Sequence, residues 1–195
     1  MNVDNGVNCL LCGVGGQGTV LASRLIAAAA MKKGLAAETA ETIGMAQRGG
    51  SVVSHVRTGD DKFSPLIPLG TADVIIGFEP AEAVRCLGCL RPGGTVVVSS
   101  KPVLPVTASL GGGSYRDSKE MIDYLNKKVE KLIVVNTDEI CEKLGSQRVV
   151  NMVLLGAAAR TGALGITADE IEEVMIERMD ERFHEINKRA LHWND

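Results

Sequence analysis

Six residues near the start, Gly13-Val14-Gly15-Gly16-Gln17-Gly18, restrict what this chain can fold into more than any other stretch. They follow an apolar run, Val7-Asn8-Cys9-Leu10-Leu11-Cys12, that reads as a buried strand of a parallel sheet. A long small-residue helix starts at Thr19 and closes on Lys32 and Lys33, cations at the negative end of its dipole, with Gly34 as the residue that ends it. Strand, glycine turn and helix in that order give G-x-G-x-x-G its meaning. The glycines let the backbone turn tightly, and the unpaired N–H groups of the first helical turn can hold a phosphate. A tight strand-to-helix turn without a ligand satisfies the same pattern.

The remaining segments read as one α/β domain over residues 1–195. Its core covers about 7–136, and a helical C-terminal extension covers about 137–195. A second strand is expected over Leu35–Thr39, and Glu38 lies where a dinucleotide-binding fold carries its ribose-binding acid, ~20 residues beyond the glycines. Turn-forming residues fill Thr42–Ser51, and Val52–Arg57 reads as a strand. Phe63–Pro68 reads as a short edge strand, since its prolines cannot donate to a ladder. Asp73–Glu79 is a central strand, and Pro80 opens a helix over Ala81–Leu90 that stops at Arg91-Pro92-Gly93-Gly94. A strand at Thr95–Ser99, an irregular crossing from Lys101 to Gly113, an amphipathic helix over Asp117–Lys128 and a last strand at Lys131–Asn136 follow. Beyond that the chain is helical. Thr137 caps a helix ending near Gly145, Asn151 caps one running to Arg160, and Thr167-Ala168-Asp169-Glu170 is a capping box. A final helix carries Phe183, Ile186, Ala190 and Leu191. This order predicts a doubly wound, Rossmann-like three-layer sandwich.

Composition removes several function classes. A net charge of −3 offers no basic field for nucleic acid, and no run approaches the ~20 apolar residues of a membrane span. Five cysteines, an odd number, with no export signal ahead of the first strand point to reduced thiols and a cytoplasmic location. The two Cys-x-x-Cys pairs do not make a metal site. Cys9 and Cys12 on a strand face opposite ways, and Cys86 and Cys89 have no neighbouring pair to complete four ligands. His55 on a strand reads as structural, and no nucleophile–base pair or paired carboxylates stand out. Arg48, between Gln47 and Gly49-Gly50, is a planar cation suited to phosphate or carboxylate, although a solvated surface turn explains it equally. Its loop follows the second strand, which places it on the same rim as Gly13–Gly18. The chain thus carries a ligand rim without catalytic apparatus, as a binding part of a larger assembly would.

Read together, Gly13–Gly18, Gly44-Met45-Ala46-Gln47-Arg48-Gly49-Gly50 with Ser51–Arg57, Ser64–Pro68, Phe78-Glu79-Pro80 and Asn151–Gly156 resemble the gamma-domain family of 2-oxoacid:ferredoxin oxidoreductases. Within it they are most similar to the small (beta) subunits of indolepyruvate:ferredoxin oxidoreductases. The resemblance runs from about Val7 to the last helix, and Gly-Met-Ala-Gln-Arg-Gly-Gly is its most specific part. It implies a cytoplasmic, anaerobic enzyme that oxidatively decarboxylates an aryl-2-oxoacid to an acyl-CoA, carbon dioxide and reduced ferredoxin. It also implies that thiamine diphosphate and the iron–sulfur clusters reside on a large partner subunit, through which ferredoxin is reached. No cofactor is expected to be bound covalently by this chain, and the isolated chain is expected to self-associate as a homodimer. On this reading Gly13, Gly15, Gly16, Gln17 and Gly18 meet the phosphates of a nucleotide-like group such as coenzyme A. Gln47, Arg48, Gly49 and Gly50 stand at the rim or the subunit contact. No catalytic residue and no metal ligand is assigned.

Three other readings remain. The glycine turn also opens adenylating enzymes of the ubiquitin-activating type, whose zinc-binding Cys-x-x-Cys pairs lie later in the chain. Leu90–Gly94 ahead of a strand resembles a methyltransferase motif of poor specificity. Glu38 allows a stand-alone NAD-binding module.

Overall fold

The computed structural model of the chain describes residues 6–43, 50–59, 64–104 and 115–194. In order these form β1 (Asn8–Val14), α1 (Thr19–Lys32), β2 (Ala37–Ile43), β3 (Ser51–Thr58), β4 (Ala72–Gly77), α2 (Pro80–Cys86) and β5 (Leu90–Ser99). Then come α3 (Ser118–Lys128), β6 (Lys131–Val135), α4 (Thr137–Leu144), α5 (Val150–Arg160), α6 (Ala168–Arg178) and α7 (His184–Leu191). Among the described residues the strands make one six-stranded sheet in the order β2-β3-β1-β4-β5-β6.

The sheet is mixed. β1, β4, β5 and β6 run parallel, whereas β3 is antiparallel to both β1 and β2. After α1 the chain therefore lays β2 one position out from β1, and β3 returns through the gap. Ile43, Val52 and Gly13 lie side by side across these three strands. β2 thus ends, and β3 begins, at the glycine-turn end of the sheet.

Both faces are covered, because a central strand whose two sides are apolar must be packed from above and below. On one side Cys9, Leu11, Val74, Ile76, Phe78 and Val97 lie under α1 and α4–α7. On the other, Leu10, Cys12, Ile75, Val96 and Val98 lie under α2 and α3, with Leu125 and Val129. The C-terminal helices are thus one layer of the sandwich, with α5 packed on β4, β5 and β6. α1 is buried nearly all round, from Leu25 through Ala30, because it is held between the sheet and α5 and α6. Its alanines allow that close approach.

Several boundaries differ from the sequence reading, each for a local reason. β2 starts at Ala37 rather than Leu35, because Gly34 at φ 85 and the Leu35 N–H, which donates to the Ala30 carbonyl, still belong to the end of α1. Residues 64–68 are not a strand; the Arg57 guanidinium donates to the Ser64 and Leu66 carbonyls, and the Ile67 N–H donates to His55 Nδ1. Side chains, not a ladder, take those backbone groups. Phe63 lies outside the described residues. α2 ends at Cys86 in a short 3-10 turn, and Arg91-Pro92-Gly93-Gly94, expected as a turn, belongs to β5. There the register with β4 shifts between Ala72 and Val74, and Gly93 takes φ 70. The caps of α4 and α5 also move. Asn136, not Thr137, accepts from the Glu139 N–H, and Val149 precedes α5, so Asn151 lies inside the helix. No helix among the described residues is long and apolar enough to cross a membrane.

Candidate functional site

The glycine turn is built by β1 and closed by one side chain. Gln17 Oε1 accepts from the Val14 N–H at 2.8 Å, and Gln17 Nε2 donates to the Phe78 carbonyl at 2.9 Å. That amide ties the turn to the residue just after β4. Gly13 is required by packing, since a Cβ there would stand 2.7 Å from Gln17 Oε1 and 2.8 Å from Phe78 Cβ. Gly18 is the N-cap of α1 at φ 84, and no side chain caps the helix. The first-turn amides of Thr19, Val20 and Leu21 have no carbonyl one turn back and no capping oxygen. There is also no acidic residue in that turn. Such a terminus favours an anion through aligned N–H groups and the helix dipole.

The second predicted segment reaches this turn through its last residue. Gly15 N–H donates to the Gly50 carbonyl at 2.9 Å, so the rim predicted from Gly13, Gly15, Gly16, Gln17, Gly18 and Gly50 is brought together. Gln47, Arg48 and Gly49 lie outside the described residues. Within the turn the roles divide. Gln17 and the Gly15 amide are spent on internal bonds and shape the loop. Gly16 is exposed beside the uncapped start of α1.

Three features escaped the sequence reading. Glu79 and Glu82, at the start of α2, are only 1% and 3% exposed. Glu79 Oε2 accepts from the Glu82 N–H at 3.0 Å, and its Oε1 accepts from the Tyr115 hydroxyl. Glu82 Oε2 accepts from Ser51 Oγ at 2.7 Å while Oε1 meets Arg85 at 2.8 Å. Burial and the Glu79 carboxylate hold the Tyr115 hydroxyl well above the ordinary phenol range, so it acts as a donor. The spacing Glu79-Pro80-Ala81-Glu82 carried a legible signal, a capping residue followed by proline and a third-position acid.

The second feature is Asn151, 4% exposed, whose Nδ2 lies 3.0 Å from the position of a Cβ on Gly18. It opens onto a cleft of about 620 Å³ lined also by Leu21, Arg148, Arg182 and Asn187, beside the uncapped start of α1. Arg148 adds positive charge there, whereas Arg182 is paired with Asp180 at 3.5 Å. A larger cavity, about 870 Å³, lies at the other end of the sheet, where Arg91 is already neutralised by Asp73 at 2.6 Å.

The third is a thiol pair. Cys9 and Cys12 face opposite sides of the sheet, as their spacing predicted. The Cys12 thiol is hydrogen-bonded to Cys86, and that bond together with burial raises its pKa well above the usual value. Glu38 sits across from Arg57, which sits across from Asn8, at the end of the sheet remote from the glycine turn. It cannot reach a ribose on the rim, which removes the acid on which the NAD reading stood.

Residues 8–192 match the family model described as pyruvate ferredoxin/flavodoxin oxidoreductase. The indolepyruvate oxidoreductase subunit IorB of Archaeoglobus fulgidus is 41% identical over 185 residues, covering 95% of this chain and 92% of that one. In shape the chain is similar to the pyruvate oxidoreductase subunit PORC of Thermotoga maritima, with TM-score 0.70 at 20% identity over 96% of this chain and 93% of that one. It is also similar to part of the 2-oxoglutarate:ferredoxin oxidoreductase of Magnetococcus marinus, solved with 2-oxoglutarate, coenzyme A and succinyl-CoA bound. There the TM-score is 0.68 at 23% identity, with 95% of this chain matched to 30% of that longer one.

Proposed function

The chain belongs to the pyruvate ferredoxin/flavodoxin oxidoreductase family, and from that premise we propose that it is the non-catalytic small subunit of a cytoplasmic oxidoreductase acting on an aryl-2-oxoacid of the indolepyruvate kind. The assembled enzyme converts the 2-oxoacid and coenzyme A into carbon dioxide and an acyl-CoA, passing the electrons to ferredoxin. Thiamine diphosphate and the iron–sulfur clusters belong to a larger partner subunit. The residues here do not fit a four-thiolate cluster: Cys12, Cys86 and Cys89 lie on one side of the sheet and Cys9 and Cys141 on the other, so no four thiols share a face. No step of the chemistry is therefore routed through this chain.

What it supplies is a place for the phosphates of coenzyme A. The observation that carries this is the uncapped, acid-free start of α1 inside the glycine turn, next to a cleft bearing Arg148 and Arg182. The 41% identical relative supports the substrate class through its name alone. The first-turn amides and Gly16 hold the anion, and Gln17 keeps the turn in shape.

Gly16 provides the test, because a Cβ there meets nothing within 4 Å. Gly16→Asp puts a carboxylate where the phosphate sits, whereas Gly16→Asn carries the same backbone strain without charge. In the complex reconstituted with the large subunit, Gly16→Asp should raise KM for coenzyme A about tenfold over Gly16→Asn. The value of kcat should stay within about twofold. Equal KM values in the two intact complexes overturn the phosphate role.

A further inference from the structure

Glu79 and Glu82 ask for an explanation beyond capping. A helix start needs one acceptor oxygen, and Ser, Thr, Asp or Asn commonly supplies it. Here two buried carboxylates present four oxygens, of which only Glu79 Oε2 caps α2. Of the other three, one accepts from Ser51 Oγ, one from the Tyr115 hydroxyl, and the last meets Arg85. Burying an ionised carboxylate is costly unless its oxygens are hydrogen-bonded. Each acid therefore enforces the position of its donor, because a donor that leaves strands a buried oxygen.

Ser51 borders the rim, and Tyr115 is tied to it through Glu79. Ser51 follows Gly50, whose carbonyl takes the Gly15 N–H. Tyr115 is bound to Glu79, which follows Phe78, whose carbonyl takes the Gln17 amide. The Glu82 N–H joins the two acids. A continuous set of hydrogen bonds thus runs from Gly15 through Gly50, Ser51, Glu82 and Glu79 to Tyr115.

We propose that Glu79 and Glu82 are positioning residues that set the shape of the glycine rim, Glu82 by holding Ser51 beside Gly50 and Glu79 by bracing the Phe78 end of the turn through Tyr115. Neither acid touches the ligand. They act through Gly50 and the turn, and the consequence for coenzyme A rests on the function proposed above.

Ser51→Ala and Tyr115→Phe each remove one hydroxyl from a residue that is not in the core, while Ser51→Thr keeps the hydroxyl. Amide exchange at Gly15 in the full chain reads the rim without any ligand. Steady-state kinetics of the reconstituted complex read coenzyme A. Ser51→Ala should speed exchange at Gly15 about tenfold, with the denaturation midpoint within about 2 °C of the parent, and Ser51→Thr should restore it. Ser51→Ala and Tyr115→Phe should each raise KM for coenzyme A about threefold, additively, at a kcat within about twofold. Unchanged exchange at Gly15 in Ser51→Ala overturns the positioning role, as does faster exchange spread across the whole sheet with a fallen midpoint. Faster exchange confined to the rim with an unchanged KM supports the positioning role and instead overturns the assignment of coenzyme A to the rim.

Discussion

His55 shows how one residue of β3 ties the rest of the chain to a particular protonation state. Its Nδ1 accepts the Ile67 N–H at 3.2 Å, which the ring can do only while that nitrogen is unprotonated. Burial lowers its pKa below 6.5. The unfolded chain therefore takes up this proton first as the pH falls. The contribution to stability is whole above pH 6.5 and is lost as the pH drops from there towards the lowered folded value. His55→Gln should accordingly flatten that limb of the stability profile, measured as urea midpoints at steps below pH 6.5. An equally steep acid limb in His55→Gln assigns the proton uptake to another group. At the same scale the glycine turn is specific in a way its pattern does not reveal. Gly13 is excluded from growth by Phe78 and Gln17, whereas Gly16 has open space beside it.

Among the elements, those legible in the sequence were set by neighbours in the chain. Thr167 and Glu170 form the reciprocal cap expected ahead of α6, with Thr167 Oγ1 accepting from the Glu170 N–H and Glu170 accepting from the Thr167 N–H. That backbone bond is also the main reason the Glu170 carboxyl sits below its usual range. Asp117 capping α3 and Gly145 ending α4 follow the same logic. What the sequence could not show was decided by distant partners. The insertion of β3 between β1 and β2 depends on pairing, not propensity, and residues 64–68 are drawn from the sheet by Arg57 and His55. In the candidate site the glycine turn and its approach to Gly50 were legible, but the pairing of Glu79 and Glu82 with the Tyr115 and Ser51 hydroxyls was not, because those donors lie some thirty residues away in the chain. Helix packing makes a sharp prediction at Gly156 of α5. A Cβ there would stand 1.9 Å from the Leu191 carbonyl oxygen and 2.8 Å from its carbon, both backbone atoms that cannot rotate aside. Gly156→Ala should therefore push α7 off α5 and cost about 3 kcal/mol or more in urea denaturation. A change under about 0.5 kcal/mol would show that α7 shifts freely.

At the scale of the whole molecule, the helices that follow β6 make one face of the sandwich. Val97 and Val135 of the sheet, and Leu25 and Ile26 of α1, share one buried cluster with Met152, Leu154 and Leu155 of α5 and with Ile171 and Met175 of α6. Fully burying a side chain of this size contributes about 1.5–3 kcal/mol before the entropy of ordering it is subtracted. The glycine rim also depends on that layer, because Asn151 of α5 abuts Gly18. A chain ended after Asn136 keeps every strand and the glycine turn, yet leaves this face of the sheet and the outer side of α1 uncovered. It should lose cooperative unfolding and bind a hydrophobic dye while keeping its far-ultraviolet signal. A sharp urea transition from the shortened chain would instead mean that β1–β6 with α1–α3 suffice to fold. The C-terminal helices would then be free to serve the partner subunit alone.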